Sequence, residues 1–338
     1  MSLESWLQGV WYGSAAPLWL RPLSALFGAL SGLRRWGYAQ GWLTAVKLDR
    51  PVVVVGNISV GGTGKTPLVI WLCEALAERG LRPGVVSRGY GGKVLGARLV
   101  QLTDEADLVG DEPLLMAQRL KVPVAVGRER PRAAQLLIDA GCRVIVSDDG
   151  LQHLALKREC EIVVLDAARQ LGNGALLPAG PLREPAARLR SVDAVVSNGE
   201  SPALLELAVP QFSMRLTGQI ARSLVGPESR PLASFIGAPV HALAGIGHPE
   251  RFFAWLRLQG LEVIPHALPD HARIGREELT FADGLPVLMT EKDAVKCARL
   301  AGPEHWSVPV EASFTPVDGA QLLEVVLKAI GASSAAKG

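Results

Sequence analysis

Cysteine is scarce: four occur among 338 residues, Cys73, Cys142, Cys160 and Cys297, with no CxxC pair among them. That spacing supports neither a disulfide framework nor a thiolate zinc site and fits a reducing, cytoplasmic compartment. Charge is scarce too. Only 20% of residues are charged, and 35 Lys and Arg against 33 Asp and Glu leave a formal charge of +2. No global field would concentrate a nucleic acid, which is not an expected partner. Apolar runs long enough to span a bilayer, about 20 residues, are missing: near the start the charge-free stretches are residues 5–20 and 22–33, separated by Arg21. No basic region precedes them and the first charge is Glu4, so a cleaved secretory signal is not expected. No internal repeat is visible, and nothing implies a protein partner.

Tryptophan, by contrast, is concentrated. Five of eight (Trp6, Trp11, Trp19, Trp36, Trp42) fall in the first 42 residues, with Arg21, Arg34, Arg35, Lys47 and Arg50 nearby against Glu4 and Asp49. Indole rings prefer the headgroup level of a bilayer, and this charge bias suits anionic lipid. Residues 1–45 are therefore expected to form a helical segment that lies on a membrane surface; the alternative is a pair of core helices packed on the next domain.

From Pro51 onward the texture becomes short β-branched runs (PVVVVGN, RPGVVSRGY, KVPVAVG, CRVIVSDD, CEIVVLDA, VDAVVSN) separated by helical stretches. Continuous apolar strands alternating with helices predict a mostly parallel sheet covered on both faces, an α/β core over residues 46–225. A second series starts at VHALAGIG and ends in an apolar helix at 320–330, predicting a smaller α/β unit over 226–338. The proline-bearing segment 199–239 reads as the linker.

The strongest chemical signal is VVVVGNISVGGTGKTPLVIWL. A strand runs into a glycine-rich loop, and Lys65-Thr66 open a helix with Pro67 in its first turn. Backbone N–H groups of Ser59, Val60, Gly61, Gly62, Thr63 and Gly64 can cradle phosphates, Lys65 can reach the β- and γ-phosphates of ATP, and Thr66 can ligate Mg²⁺. The strict phosphate-loop pattern places glycine at position 59, where this chain has Ser59. A further apolar strand delivers Asp148-Asp149, candidate metal-organising acids, with Asp148 the first choice and Asp149 the neighbour alternative.

Taken in order, GNISVGGTGKTP at 56–67, SRGYGG at 87–92, GDEP at 110–113, DDGLQH at 148–153, LPAGPLRE at 177–184, GIGHPERFF at 245–253, DH at 270–271 and TEKDAVK at 290–296 resemble the tetraacyldisaccharide 4′-kinases of lipid A synthesis. Ser59 agrees with that family. The resemblance implies a P-loop kinase core with a smaller α/β domain, ATP and Mg²⁺ as cofactors, and an acylated disaccharide lipid as substrate. It also implies a peripheral enzyme on the cytoplasmic face of the bacterial inner membrane. It carries the general base onto Asp111 and its histidine partner onto His271. Arg88, Gln152, His153, Arg183 and Glu184 are candidates for contacting substrate or supporting the metal acids; His248 matches without a role. Two other classes compete: a membrane-tethered P-loop ATPase or GTPase, and a nucleotide-gated adaptor. Guanine selectivity would call for [NT]-K-x-D, whereas TEKD at 290–293 sets the lysine one place late. The adaptor leaves acids 111, 148 and 149 without a shared purpose.

Overall fold

A computed structural model describes residues 3–13, 16–200, 207–270 and 272–331. Two helices come first, α1 (Leu3–Tyr12) and α2 (Leu20–Ala39). The first series of elements is β1 (Val52–Gly56), α3 (Lys65–Glu78), β2 (Pro83–Ser87), β3 (Ala97–Leu99), α4 (Ala106–Val109), α5 (Asp111–Arg119), β4 (Val124–Gly127), α6 (Arg130–Asp139), β5 (Val144–Asp148), β6 (Cys160–Asp166), β7 (Ala194–Asn198) and β8 (Gln211–Thr217). The second is β9 (Ile220–Ser223), β10 (Ser229–Pro231), β11 (Pro239–Ala244), α7 (Pro249–Leu258), β12 (Glu262–Ala267), α8 (Arg276–Leu279), β13 (Val287–Thr290), α9 (Glu291–Cys297) and β14 (His305–Val308). The chain closes with β15 (Glu311–Phe314) and α10 (Pro316–Ala329).

Nine strands form the large sheet in the order β15-β8-β7-β6-β1-β5-β2-β4-β3. The seven inner strands are mutually parallel, and the edge strands β15 and β3 run antiparallel to their neighbours. Every residue of β1 is buried, because both faces are covered. Val53 and Val55 pack with Leu68, Leu72, Leu322 and Val326 beneath α3 and α10, while Val52 and Val54 pack with Ala133 and Leu137 of α6. A parallel sheet roofed on both sides needs such unbroken β-branched runs.

The smaller sheet has six strands, β10-β9-β14-β13-β11-β12, parallel from β14 to β12, with its own core around Phe235, Phe253, Leu256, Leu288 and Trp306. Its strands span residues 220–308, which differs from the division expected at 226–338. The last two elements return to the large sheet: β15 pairs with β8, and α10 buries Leu322, Leu323, Val326 and Leu327 in the first core. The smaller unit is thus inserted between two neighbouring strands of the larger one. The segment expected as a linker carries strands β8, β9 and β10.

The N-terminal helices have two unlike sides. Trp11 Nε1 donates to Pro178 O at 2.9 Å and Ser24 Oγ to Leu176 O at 2.7 Å, and Leu20 is buried. Trp19, Leu23, Leu26, Leu30 and Leu33, spaced by three and four along α2, are exposed, so they form one bare apolar stripe. Trp36 and Trp42 meet edge to face at 4.5 Å and are exposed beyond its end. No described helix is long and apolar enough to cross a membrane.

Candidate active site

Neighbouring parallel strands end together, and their carboxyl ends gather the chemistry here. Val55 is in register with Asp148 across β1 and β5, which sets the buried acid beside the start of the phosphate loop. The loop turns through left-handed Gly61 (φ 107°) and Gly64 (φ 93°) before α3 begins. At position 64 a side chain would also collide with Asn198, a Cβ lying 2.8 Å from its Nδ2, so glycine is required twice over. Asn198, from the end of β7, donates to Thr63 O at 3.1 Å. Ser59 and Val60 form a small ladder with the LPAGPLRE segment, Val60 N donating to Pro181 O at 2.8 Å. Ser59, whose side chain is buried, belongs to that support, and the loop N–H groups of 61–64 lead into the helix terminus.

Lys65 lies 3.7 Å from Asp149 Oδ1. Arg183 forks onto the same carboxylate, Nη2 to Oδ1 at 2.9 Å and Nη1 to Oδ2 at 3.2 Å, and also reaches the Asn57 carbonyl at 3.1 Å and the Asn57 side chain. Burial would raise the Asp149 carboxyl, but Lys65 and Arg183 outweigh it and hold it well below the usual carboxylate range. Asp148 is the opposite case. Burial pushes its carboxyl up to about 7, helped by Glu112 and Asp149 and opposed by Lys65 and Arg130. One of its oxygens accepts from Ser87 Oγ at 3.3 Å, and the other, Oδ1, has no hydrogen-bond partner. A buried carboxylate left half-satisfied in this way is destabilising unless a cation completes it.

Arg130, almost wholly buried, supports both acids from behind. Nη1 donates to Ser147 Oγ at 3.1 Å and Nη2 to Asp149 O at 2.8 Å, and burial brings its guanidinium down to about 10. Gln152 Nε2 donates to Glu184 Oε1 at 2.7 Å and to Asn57 O at 3.1 Å. Arg35 of α2 pairs with Glu184 at 3.1 Å, and Arg34 donates to Gln152 O at 3.3 Å, so the N-terminal helix is tied directly to the site. His153 is held neutral, lowered to about 4 by burial and by Arg130, Arg158, Arg34 and Arg88. Arg88 is exposed at the end of β2, and His248 is exposed at the start of α7.

Asp111 opens α5 with its side chain mostly buried, and Lys296 Nζ of α9 stands 3.9 Å from its Oδ2. Lys292 lies 3.5 Å from Glu112 and 3.2 Å from Asp270. His271 lies outside the described residues. The structure therefore brings Lys65, Asp148, Asp149, Gln152, Arg183 and Glu184 into one network, with Glu112 close enough to act on Asp148. Sequence reasoning gave no site role to Asn57, Arg130, Asn198, Lys292 or Lys296. Asn57 and the two lysines lie inside motifs that carry the family resemblance, whereas Arg130 and Asn198 have no local signal.

A model of the tetraacyldisaccharide-1-P 4′-kinase family matches residues 16–330. The chain belongs to this family. Among curated relatives, a tetraacyldisaccharide 4′-kinase of Alkalilimnicola ehrlichii is 55% identical over 302 residues, 88% of each chain. That of Aromatoleum aromaticum is 51% identical over 316 residues, 92% of this chain and 94% of its own. Among solved structures, the "apo" form of LpxK from Aquifex aeolicus in complex with ATP superposes with a TM-score of 0.79 at 29% identity, covering 97% of this chain and all of that one. The kinase family thus accounts for the fold that places a phosphate loop beside two adjacent acids, Asp148 and Asp149.

Proposed function

We propose that this protein transfers the γ-phosphate of ATP to the 4′-hydroxyl of a tetraacylated glucosamine disaccharide 1-phosphate, forming lipid IVA in lipid A biosynthesis. The observation that carries the reading is the convergence of Lys65, Asp148 and Asp149 at the carboxyl ends of β1 and β5, with Glu112 of the α5 terminus near enough to act on Asp148.

Residues 59–64 and the α3 N-terminus bind the nucleotide phosphates, and Lys65 neutralises charge displaced during transfer. Asp149, ionised and forked by Arg183, keeps Lys65 aimed at the loop. One observation suits a divalent cation: Asp148 has a buried, unpartnered oxygen; among the described residues no group of three or more His, Cys, Asp or Glu could hold one by itself. A hard cation that keeps water and nucleotide oxygens among its ligands needs only one or two protein groups, and Asp148 with Thr66 would hold it. When bound, Mg²⁺ supplies charge neutralisation at the transferring phosphoryl group.

The sugar hydroxyl is a weak nucleophile, so a base must take its proton as transfer proceeds. Asp111 fills that role, with His271 as its partner. Arg183, Glu184, Gln152, His153 and Arg88 form the wall against which the lipid headgroup sits. Arg34 and Arg35 join this wall to α2, whose leucine stripe rests on the cytoplasmic face of the inner membrane. The substrate's acyl chains then stay in lipid while its headgroup reaches the loop.

Incubating the purified protein with γ-labelled ATP and the tetraacyl disaccharide tests the proposal. Label in the lipid fraction supports it, and release of free phosphate alone would make the protein an ATPase.

A further inference from the structure

The TEKDAVK stretch folds into the end of β13 and helix α9, which packs on α5 across the two units. Helix α9 packs against α5 through charged pairs. Arg119 Nη1 at the end of α5 donates to both carboxylate oxygens of Glu291 at 2.8 Å, and at the start of α5 Glu112 and Asp111 meet Lys292 and Lys296, four residues apart on α9.

Lys296 is the more constrained of the two lysines, with a side chain only 7% exposed. Its ammonium lies 2.7 Å from Asp293 Oδ1 and donates to Ala272 O at 3.4 Å and Gly245 O at 3.5 Å. Asp293 is itself fixed: its Oδ2 accepts from Gly245 N at 3.0 Å and Thr290 Oγ1 at 2.6 Å. Gly245 allows this closeness, since a Cβ there would come 2.9 Å from Asp293 Oδ1. The smaller unit therefore grips the ammonium from three directions and presents it to Asp111 of the larger unit. A buried ammonium is costly without such oxygen partners. Docking of α9 has a separate anchor in Arg119–Glu291, so the Lys296 contacts are not needed merely to join the units.

We infer that Lys296 is a positioning residue for phosphoryl transfer: it holds the Asp111 carboxylate in place and ties it to the carbonyls of Gly245 and Ala272 in the smaller unit. The inference rests on the reading of Asp111 as proton acceptor. Among the described residues the charged groups facing Asp111 are Lys296 and Lys292 from α9 and Glu112 on its own helix. Removing the Lys296 ammonium leaves the carboxylate free to turn away from the sugar hydroxyl, so kcat falls while nucleotide binding is untouched.

The test compares the full-length native protein with Lys296→Gln, Lys296→Arg and Asp111→Asn. Each is assayed with ATP and detergent-dispersed tetraacyl disaccharide, alongside ATP affinity and thermal unfolding. Lys296→Gln keeps a polar side chain and drops the charge. The expected result is a kcat reduced about tenfold or more with ATP affinity within about twofold of native. Lys296→Arg keeps the charge in altered geometry, so its kcat falls by less; it carries the test alone if Lys296→Gln does not fold. Native kcat in Lys296→Gln, with Asp111→Asn inactive, would overturn the positioning role and leave the base intact. Native turnover in Asp111→Asn overturns both. Loss of kcat in step with ATP affinity and melting temperature makes Lys296 structural and also overturns the inference, as does native kcat in Lys296→Arg when that variant stands alone.

Discussion

Replacing Leu26 and Leu30 together by glutamine should release the protein from membranes without unfolding it. The two leucines are 56% and 60% exposed on the bare stripe of α2, between Leu23 and Leu33, which are 49% and 61% exposed. Full burial of a leucine side chain is worth about 1.5–3 kcal/mol, so inserting the open half of each contributes about 1 kcal/mol. Losing two such contributions costs about 2 kcal/mol, or roughly 30-fold in partition at tenfold per 1.4 kcal/mol. Glutamine and leucine have similar helix propensity, and the docking contacts of α2, Ser24 to Leu176 O and Arg35 to Glu184, are untouched. Flotation with vesicles containing anionic lipid measures the partition, and thermal unfolding checks the fold. Native flotation by the double variant would refute the membrane role of the stripe. So would a large fall in melting temperature, which would mean that the leucines pack against protein.

Lys65→Ala should lose at least about 100-fold in kcat, a loss of the size seen when a preorganised charge-stabilising group is removed, as read by single-turnover phosphotransfer at saturating ATP. Asp111→Ala and His271→Ala should each depress kcat with ATP affinity nearly intact, and the double variant should be little worse than the poorer single one, because members of one unit do not add; additivity in log kcat separates them. Denaturant titrations across pH should show an acid sensitivity due to His153. Its folded value near 4 lies below the ordinary 6.5, so the unfolded chain binds the proton more readily. The stability tied to the neutral ring is intact above 6.5 and falls as pH drops towards 4. His153→Gln should flatten that stretch of the curve; an unchanged slope would assign it to other groups.

The parallel core was legible because its strands are unbroken β-branched runs: PVVVVGN and CRVIVSDD became β1 and β5 in adjacent register. The phosphate loop was legible because strand, glycines and helix start are contiguous. Strand β8 was not. Its burial alternates along QFSMRLT, and neighbouring prolines masked a weaker period than a continuous run gives. The return of β15 and α10 to the large sheet was also hidden, since periodicity shows that a helix has an apolar face and does not name the partner. Of the candidate site residues, Lys65 and Asp148 could be singled out because each lies in a motif that holds its own geometry. Arg130 and Asn198 could not, because each serves the loop from an element distant in sequence, and Lys296 acquires its meaning only when α9 docks on α5.

Phosphorus–proton correlation NMR of the lipid product, made from ATP and the tetraacyl disaccharide 1-phosphate, tests the central claim most directly. The proposed function predicts one new phosphomonoester coupled to the proton at the 4′ carbon, formed by the native protein and absent with Lys65→Ala. A phosphate on another hydroxyl, or a pyrophosphate built on the existing 1-phosphate, would contradict it.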